Sequence, residues 1–336
     1  MKLTRIVALG TLACGGGPGS VAESPADPTA QAAIAHAELV TTVDRVPRLL
    51  GPGWISTGDD DAHAVFAPDG GTLYFLKDTP GFDLWTIVST TRGARGWSRP
   101  DVVSFSGQYP DGDLVFTPDG RRAYFVSMRP VAGVARRDTE IWTVARHPDG
   151  SFGAPEHVVE LSSPADEWFP TIASDGTMYF GSCREGGLGG CDIWRAAWRG
   201  DHFAPPENLG APINSAAQEI EPLIDPDQRF LVISIKDRPD SLGSYDLYLA
   251  RRNADGSWQA PQHLPAPINS HNWDFGPRLS PDGRWFLFTS NRGFASEPLP
   301  RALRYDELEH RLHGPGNGLR DIYVVDARVL ATGAPR

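Results

Sequence analysis

Five carboxylates recur at one fixed position in this sequence, eight residues before a turn-forming aspartate. They are Asp61, Asp111, Glu167, Glu219 and Asp274. Carboxylates gathered in one place serve proteins in three ways: they bind a cation such as Ca²⁺, they act as general acid and base on a sugar, or they pair with arginines. The choice between these uses depends on the elements that position them.

A second set of charged residues follows each turn at a similar spacing. It comprises Arg129, Arg184, Arg238 and Arg292, with Lys77 as the nearest substitute in the first unit. Strict repetition favours structural ion pairs between these cations and the five acids, because a catalytic site normally breaks the symmetry of a repeat. The alternative is that some of the acids bind Ca²⁺ or a polar ligand at a shared mouth.

The residues that differ between units are the better functional candidates. Six residues before the turn aspartate stand His63, Asp113, Phe169, Glu221 and Gly276. Trp168 and Trp273 each adjoin one of the five repeated acids. Aromatic rings beside carboxylates suit a sugar or a peptide, although the two tryptophans could equally pack between units. We therefore add His63, Glu221, Trp168 and Trp273 to the candidate ligand-binding residues.

The turn itself predicts the fold. Pro-Asp-Gly or a close variant recurs five times, with its aspartate at Asp69, Asp119, Asp175, Asp227 and Asp282. Each turn is followed by short stretches rich in aromatic and β-branched residues, which predicts four strands per unit of roughly 50 residues. Tandem units of this kind predict an all-β, single β-propeller with four-stranded antiparallel blades. Five blades are expected, with six as the alternative. In this fold the five repeated acids are expected to ring the axial channel on one face.

The last unit lacks an outer strand, and the start of the chain can supply it. Pro47–Leu50 parallels the segment that begins at Pro261, so Val46–Leu50 is expected to pair into the fifth blade and close the ring. Ile213 and Ile268, in the twice-repeated Ala-Pro-Ile-Asn-Ser, are expected to fill seams between blades. The asparagines that follow them, Asn214 and Asn269, are expected to bond nearby backbone.

The N-terminus has the pattern of an export signal. A short basic region, an apolar run and a small-residue junction lead to Cys14 and three glycines, much as in a lipoprotein. We expect a leader over residues 1–14 with lipidation at Cys14, a flexible tether over 15–43, and the propeller over 44–330. Residues 293–320 form an insertion in the last blade, where His310 and His313 lie.

The Pro-x-x-Ser-Pro-Asp-Gly pattern, clearest over Gly276–Arg292, resembles the TolB-like, WD40-like (PD40-type) propeller repeat of exported bacterial proteins. The resemblance covers about residues 46–326. It implies the propeller fold, export, and a binding or scaffolding role. It carries no defined catalytic residues, because such folds host several functions.

Composition narrows the function classes further. The net charge of −11 argues against a nucleic-acid partner, whose phosphates need a basic surface. Cys183 and Cys191 flank a hairpin loop, and in an exported protein they are expected to form a disulfide. Beyond the N-terminus no apolar run reaches transmembrane length, so membrane contact is expected only through a lipid anchor.

The sequence therefore favours a non-catalytic binding or scaffolding module of the cell envelope, periplasmic, outer-membrane-anchored or secreted. Its expected partner is an envelope protein, a peptide or a glycan, and the chain is expected to act as a monomer without a cofactor, unless the acids bind Ca²⁺. No hydrolase, metalloprotease, phosphate-loop or dinucleotide motif is present. The alternative is a glycan-active enzyme, a glycosidase or lyase, that uses the repeated carboxylates.

Overall fold

A computed structural model describes Leu39 and residues 43–294 and 299–331. The leader, Cys14 and most of the tether lie outside the described residues, as do four positions of the insertion. Five antiparallel sheets, four of them four-stranded and the first with one additional short strand, follow one another along the chain as the blades of a five-bladed β-propeller. The predicted fold class and blade number are confirmed.

The blades share one plan: the first strand is innermost, and the next three follow outward. Blade 1 contains β2 (Asp60–Phe66), β3 (Thr72–Asp78) and β4 (Thr86–Gly93), with the short β5 (Gly96–Trp97) and β6 (Asp101–Val102) both paired to β4. Blade 2 contains β7 (Asp111–Phe116), β8 (Arg122–Ser127), β9 (Glu140–Ala145) and β10 (Glu156–His157). Blade 3 contains β11 (Glu167–Ile172), β12 (Met178–Ser182), β13 (Asp192–Ala196) and β14 (Glu207–Asn208).

Blade 4 contains β15 (Gln218–Ile224), β16 (Phe230–Lys236), β17 (Tyr245–Arg251) and β18 (Gln262–His263). Blade 5 contains β19 (Asp274–Leu279), β20 (Trp285–Ser290), β21 (Asp321–Asp326) and, as its outer strand, β1 (Arg48–Leu49). Arg48 pairs with Val324, so the N-terminal strand closes the ring as predicted. A helix, α1 (Tyr305–His313), lies in the insertion, and a 3₁₀ turn (Ala327–Leu330) follows β21.

The hydrophobic core lies between blades rather than within one of them. Each of five buried clusters joins residues of two neighbouring blades, for example Leu76 of blade 1 with Phe125 of blade 2. We call the segments that join the outer strand of one blade to the inner strand of the next the connectors. They fill these seams as predicted, since Ile213 and Ile268 are buried. Asn214 accepts a hydrogen bond from the Ile193 N–H and donates one to the Ile193 carbonyl, which fixes its connector to the neighbouring strand.

One irregularity is common to all five innermost strands. The register shifts at a bulge, and the residue six before the turn aspartate adopts positive φ in every blade, between 48° and 63°. The left-handed conformation costs free energy at a non-glycine residue. Because the conformation occurs in every blade, the fold requires it. The bulge redirects the side chain at this position in four blades, while blade 5 has glycine there, and it creates the ring described next.

Candidate functional site

The five repeated acids, which we call the connector acids, are fully buried. In four blades the carboxylate accepts hydrogen bonds from the residue four positions earlier in the connector; in blade 4, Glu219 accepts from the Ser215 hydroxyl at 2.6 Å and the Ser215 N–H at 3.1 Å. Asp61 is bonded in the same way by Thr57. Each of these acids therefore fixes the end of a connector.

In blades 1, 2, 3 and 5 the carboxylate pairs with a cation that lies on the second strand of the same blade or just after it. The ion pairs are Lys77 with Asp61 at 2.6 Å, Arg129 with Asp111 at 2.7 Å, Arg184 with Glu167 at 3.0 Å and Arg292 with Asp274 at 2.5 Å. All five connector acids are thus turned into their own blades, and the residues described bring together no group of three or more His, Cys, Asp or Glu with metal-binding geometry.

Blade 4 departs from this pattern. Arg238, expected to pair with Glu219, instead pairs with Asp240 at 3.1 Å and lies over the ring of Tyr248. The cause is a displacement of one residue: Asp237 stands where the other blades place the arginine, and Ile235 stands opposite Glu219. In the described part of the chain, no Lys, Arg or His lies within ion-pair distance of Glu219.

Burial changes the protonation of these acids. It raises the pKa of Glu167 to about 7, against the opposing effects of the Ser163 hydroxyl and the Arg184 guanidinium. It also raises the pKa of Glu219, where the Ser215 hydrogen bonds oppose it. A buried carboxylate without a cation favours its neutral form because the charged form loses hydration.

The axis of the propeller is lined by the bulge residues, which we call the axial ring: His63, Asp113, Phe169, Glu221 and Gly276. The His63 ring is its centre, with Nδ1 at 2.6 Å from an Asp113 oxygen and Nε2 at 3.5 Å from a Glu221 oxygen. It also meets the Phe169 ring edge-on at 5.0 Å. The side chains of this ring thus join blades 1, 2, 3 and 4 at the axis.

The two axial carboxylates also tie neighbouring strands together. Asp113 accepts a hydrogen bond from the Phe169 N–H at 2.9 Å. Glu221 accepts one from the Gly276 N–H at 2.8 Å and another from the Ser234 hydroxyl at 3.1 Å. Gly276 leaves the room that His63 needs, because a Cβ at this position would lie 2.6 Å from His63 Cδ2.

The axial ring is closed to a sugar. The side chains of His63, Asp113 and Glu221 are 9%, 4% and 8% exposed. A glycosidase holds the sugar between its two carboxylates, whereas here the imidazole of His63 occupies that space. The arrangement therefore works as a buried hydrogen-bonded junction between blades, and both His63 and Glu221 belong to it.

The candidate tryptophans lie above this ring and make aromatic contacts between blades. Trp168 lies 5.6 Å from Trp85, and Trp273 lies 5.9 Å from Tyr245, measured between ring centroids. Trp273 is more than one third exposed. Trp273 packs on Tyr245 on one side and is exposed to solvent on the other. Its position is therefore compatible with packing between blades and with ligand binding.

The face on which the connectors and the loops between second and third strands lie, which we call the loop face, carries much of the exposed apolar surface. These loops span residues 79–85, 128–139, 183–191, 237–244 and 291–320. The exposed large apolar residues within them are Phe82, Leu84, Val134, Leu188, Leu242, Phe294, Leu299, Tyr305, Leu308 and Leu312. The others in the described chain are Val46, Val102, Val159, Trp198 and Trp273.

The insertion of blade 5 adds a helix with no buried residue to this face. Tyr305, Leu308 and Leu312 are 74%, 40% and 54% exposed and fall on one side of α1 at the i, i+3, i+7 spacing. The loop after α1 is anchored to blade 1, because Asn317 donates to the Gly58 carbonyl at 3.1 Å. One side of the helix therefore exposes an apolar stripe to solvent, while the loop that follows it is anchored to blade 1.

The third loop is closed by the expected disulfide between Cys183 and Cys191. No helix in the described residues has the length and apolar character needed to cross a membrane. Both findings concern the described propeller, while the expected lipidation of Cys14 lies outside it.

Sequence reasoning did not select two axial residues. Asp113 was visible at the same position as His63 and Glu221, and its acidic type was the available signal. Arg278 lies four residues before its turn aspartate, where the other blades carry Val65, Val115, Thr171 and Leu223. A buried arginine among apolar counterparts was a detectable break in the repeat.

No known protein-family model matches the chain, and no curated protein matches it. Solved propeller structures do match. A protein assigned as TolB from Agrobacterium tumefaciens shares 17% identity at a TM-score of 0.46, covering 80% of this chain and 90% of that one. An α-L-arabinofuranosidase from Lactobacillus brevis shares 13% at 0.44, covering 81% and 91%. A periplasmic gluconolactonase from Pseudomonas aeruginosa shares 14% at 0.41, covering 79% and 88%.

These similarities are too low to carry a function. The matched proteins include a TolB and enzymes of different activities on a similar arrangement, so the fold alone does not choose between them. The narrower TolB-like repeat family is an interpretation of the sequence. The function therefore depends on the residues of this chain.

Proposed function

We propose that this chain is an exported cell-envelope propeller that binds a partner through its loop face and does not itself catalyse a reaction. The observation that carries the proposal is the concentration of exposed apolar side chains in the loops between second and third strands. Apolar patches of this kind on a soluble surface are typical of interaction sites. The net charge of −11 favours a partner with basic residues around its own apolar surface.

The chemistry of the exposed residues favours a protein or peptide over a glycan. Leu84, Val134, Leu188 and Leu242 are aliphatic, and the stripe on α1 adds Leu308 and Leu312. Sugars are generally bound on aromatic rings with polar groups beside them, and Trp273 is the exposed tryptophan near the axis. A glycan is therefore the second outcome to be tested.

The closed axial ring supports a non-catalytic role. The imidazole of His63 fills the space between Asp113 and Glu221, and the connector acids are buried within their blades. If the glycan-active alternative held, hydrolysis or cleavage of a glycan would be found, and it would be lost in the Glu221→Gln variant. A screen of envelope glycans with the purified chain measures this directly.

Export is supported by the N-terminal sequence pattern and by the disulfide, because structural disulfides persist in oxidising compartments. Fractionation of cells that express the full chain tests it. We expect the protein in the envelope fraction, and we expect Cys14→Ala to release it from membranes. Recovery of the wild type in the cytoplasm would contradict export without touching the binding proposal.

The binding proposal is tested by capture from envelope extract with two matched variants. Tyr305→Ser combined with Leu308→Ser and Leu312→Ser removes the stripe on α1, which contributes nothing buried to the propeller. Trp198→Ser removes an exposed apolar residue that lies outside these loops. We expect one partner that wild type and Trp198→Ser retain and that the stripe variant loses. Equal capture by all three chains would contradict a loop-face interface.

A further inference from the structure

The face opposite the loop face, where the turns between first and second strands meet, contains a central cavity of about 840 Å³. We call it the funnel. Pro68, Pro118 and Pro226 of the turns line its rim, and the residues four before each turn aspartate line its interior: Val65, Val115, Thr171, Leu223 and Arg278. Cavities of this size bind small organic molecules in many proteins.

Arg278 is the exception in an apolar wall. It is 3% exposed, and its guanidinium lies over the Phe169 ring with Cζ 3.4 Å from the ring centroid. Nη2 donates to the Pro170 carbonyl at 3.1 Å. Nε and Nη1 have no hydrogen-bond partner among the residues described, and no carboxylate lies within ion-pair distance. A buried guanidinium whose N–H groups lack acceptors destabilises the folded protein unless an anion binds to them.

The fold itself does not require this charge. The four other blades fill the same position with valine, threonine or leucine and close in the same way. Asp113 and Glu221 lie near enough to favour the charged form of Arg278, yet burial still lowers its pKa to about 9. The axial carboxylates therefore compensate the guanidinium incompletely.

Two other charged residues that line the funnel are already bonded within the protein. Asp225 accepts two hydrogen bonds from Arg229 at 2.8 Å each. Arg251 donates to the Leu330 carbonyl at 2.6 Å. Of the charged residues that line the funnel, Arg278 is the buried one whose side-chain donors lack a partner in the described chain.

We propose that the funnel binds a small organic carboxylate, with its apolar part against the valines and leucine of the wall and its carboxylate on Arg278. A monoanion fits better than a phosphate dianion, because desolvation and repulsion from Asp113 and Glu221 both grow with charge. Nε and Nη1 are covered as the chain stands, so binding includes a rotation of the guanidinium off Phe169 toward the funnel.

Two sources can supply this chemistry: a free carboxylic acid or the C-terminus of an apolar peptide. The site lies on the face opposite the proposed partner interface, so its test is independent of the proposed function. The purified full chain is titrated calorimetrically with 4-phenylbutyrate and its amide, and with the tripeptide Ala-Val-Leu in free and amidated forms. The variants are Arg278→Met, which keeps the side-chain length, and Arg199→Met, which makes the same change at an exposed arginine outside the funnel.

We expect at least one acid to bind and its amide to bind about tenfold more weakly or worse, because a charged hydrogen bond is lost. Arg278→Met should lose affinity for the acid to the same extent, while Arg199→Met stays within about twofold of wild type. Binding of 4-phenylbutyrate or of the free tripeptide identifies the source.

The proposal is overturned if neither acid binds at millimolar concentration, or if acid and amide bind wild type equally. It is also overturned if folded Arg278→Met keeps the affinity. Should Arg278→Met fail to fold, the comparison of acid with amide on wild type decides alone.

Discussion

The connector acids and the axial ring stand two residues apart in every blade, yet they behave in opposite ways. At the connector position every blade has a buried carboxylate, and four of them hold a cation from the same blade. At the axial position the residues are histidine, aspartate, phenylalanine, glutamate and glycine, and their contacts run between blades.

This difference shows what repetition means in such a chain. A requirement common to all blades, such as anchoring a connector, is met by one solution repeated five times. The axis is a single place shared by five strands, so its occupants must differ to fit one another. Both rings are largely buried, whereas the loops between second and third strands differ between blades and are exposed.

Removing a cation from a connector pair should have the largest effect. Arg129→Ala leaves Asp111 buried and unpaired, and we expect a loss of about 3 to 5 kcal/mol in the free energy of unfolding. Arg238→Ala is the matched control, because Arg238 pairs with Asp240 on the surface, and it should cost under about 1 kcal/mol. Urea unfolding followed by tryptophan fluorescence measures both. Equal losses would remove the distinction between blade 4 and the other blades.

A methyl group in the axial ring should have the next largest effect. Gly276→Ala combines a strained positive φ of 63° with a Cβ only 2.6 Å from His63 Cδ2. We expect a cost of about 2 to 4 kcal/mol. Gly283→Ala has a similar φ of 69° with nothing within 4 Å of its Cβ, and should cost about 1 kcal/mol. The same unfolding assay would reject the packing of His63 against Gly276 if the two costs coincided.

The smallest effect concerns the unpaired connector acid and depends on pH. The pKa of folded Glu219 is raised by burial, so above the ordinary glutamate range the unfolded chain loses a proton that the folded chain keeps. The stability contribution is complete below the unfolded pKa and is lost as the pH rises through the folded pKa. Glutamine does not titrate, so Glu219→Gln should not lose stability in this way as the pH rises. Its free energy of unfolding relative to that of wild type should therefore increase from acidic to neutral pH.

A connector acid that has its cation supplies the contrast. Asp274→Asn leaves Arg292 without its carboxylate and should cost roughly 3 kcal/mol at neutral pH. Unfolding curves from acidic to neutral pH compare the two variants. If Glu219→Gln were destabilised at neutral pH as Asp274→Asn should be, Glu219 would have to be charged and paired.

Much of the fold could be predicted because it repeats. The turn aspartates gave the blade number, and the match of Pro47–Leu50 to a later unit located the closing strand. The bulge could not be predicted, since positive φ at residues as different as His63 and Phe169 has no common sequence signal. The connector acids were expected to ring the axis, but they are bonded within their blades, and the bulge brings the residues two positions later to the centre.

The pairing of the arginines shows the limit of reading by spacing. Arg129, Arg184 and Arg292 reach their connector acids, whereas Arg238 lies one residue too far along and turns to Asp240. Arg278 was not selected because an isolated arginine in a strand carries no motif. Its burial and its two donor atoms without a partner, which the structure shows, are what make it a candidate ligand-binding residue.

The most direct test of the account is hydrogen–deuterium exchange on the chain alone and with its captured partner. If the scaffold lies in the paired connector acids and binding lies in the loops, exchange should slow in residues 79–85, 128–139, 183–191, 237–244 or 299–320 and stay unchanged in the innermost strands. Protection confined to the turns around the funnel, with the loop face unaffected, would contradict the account.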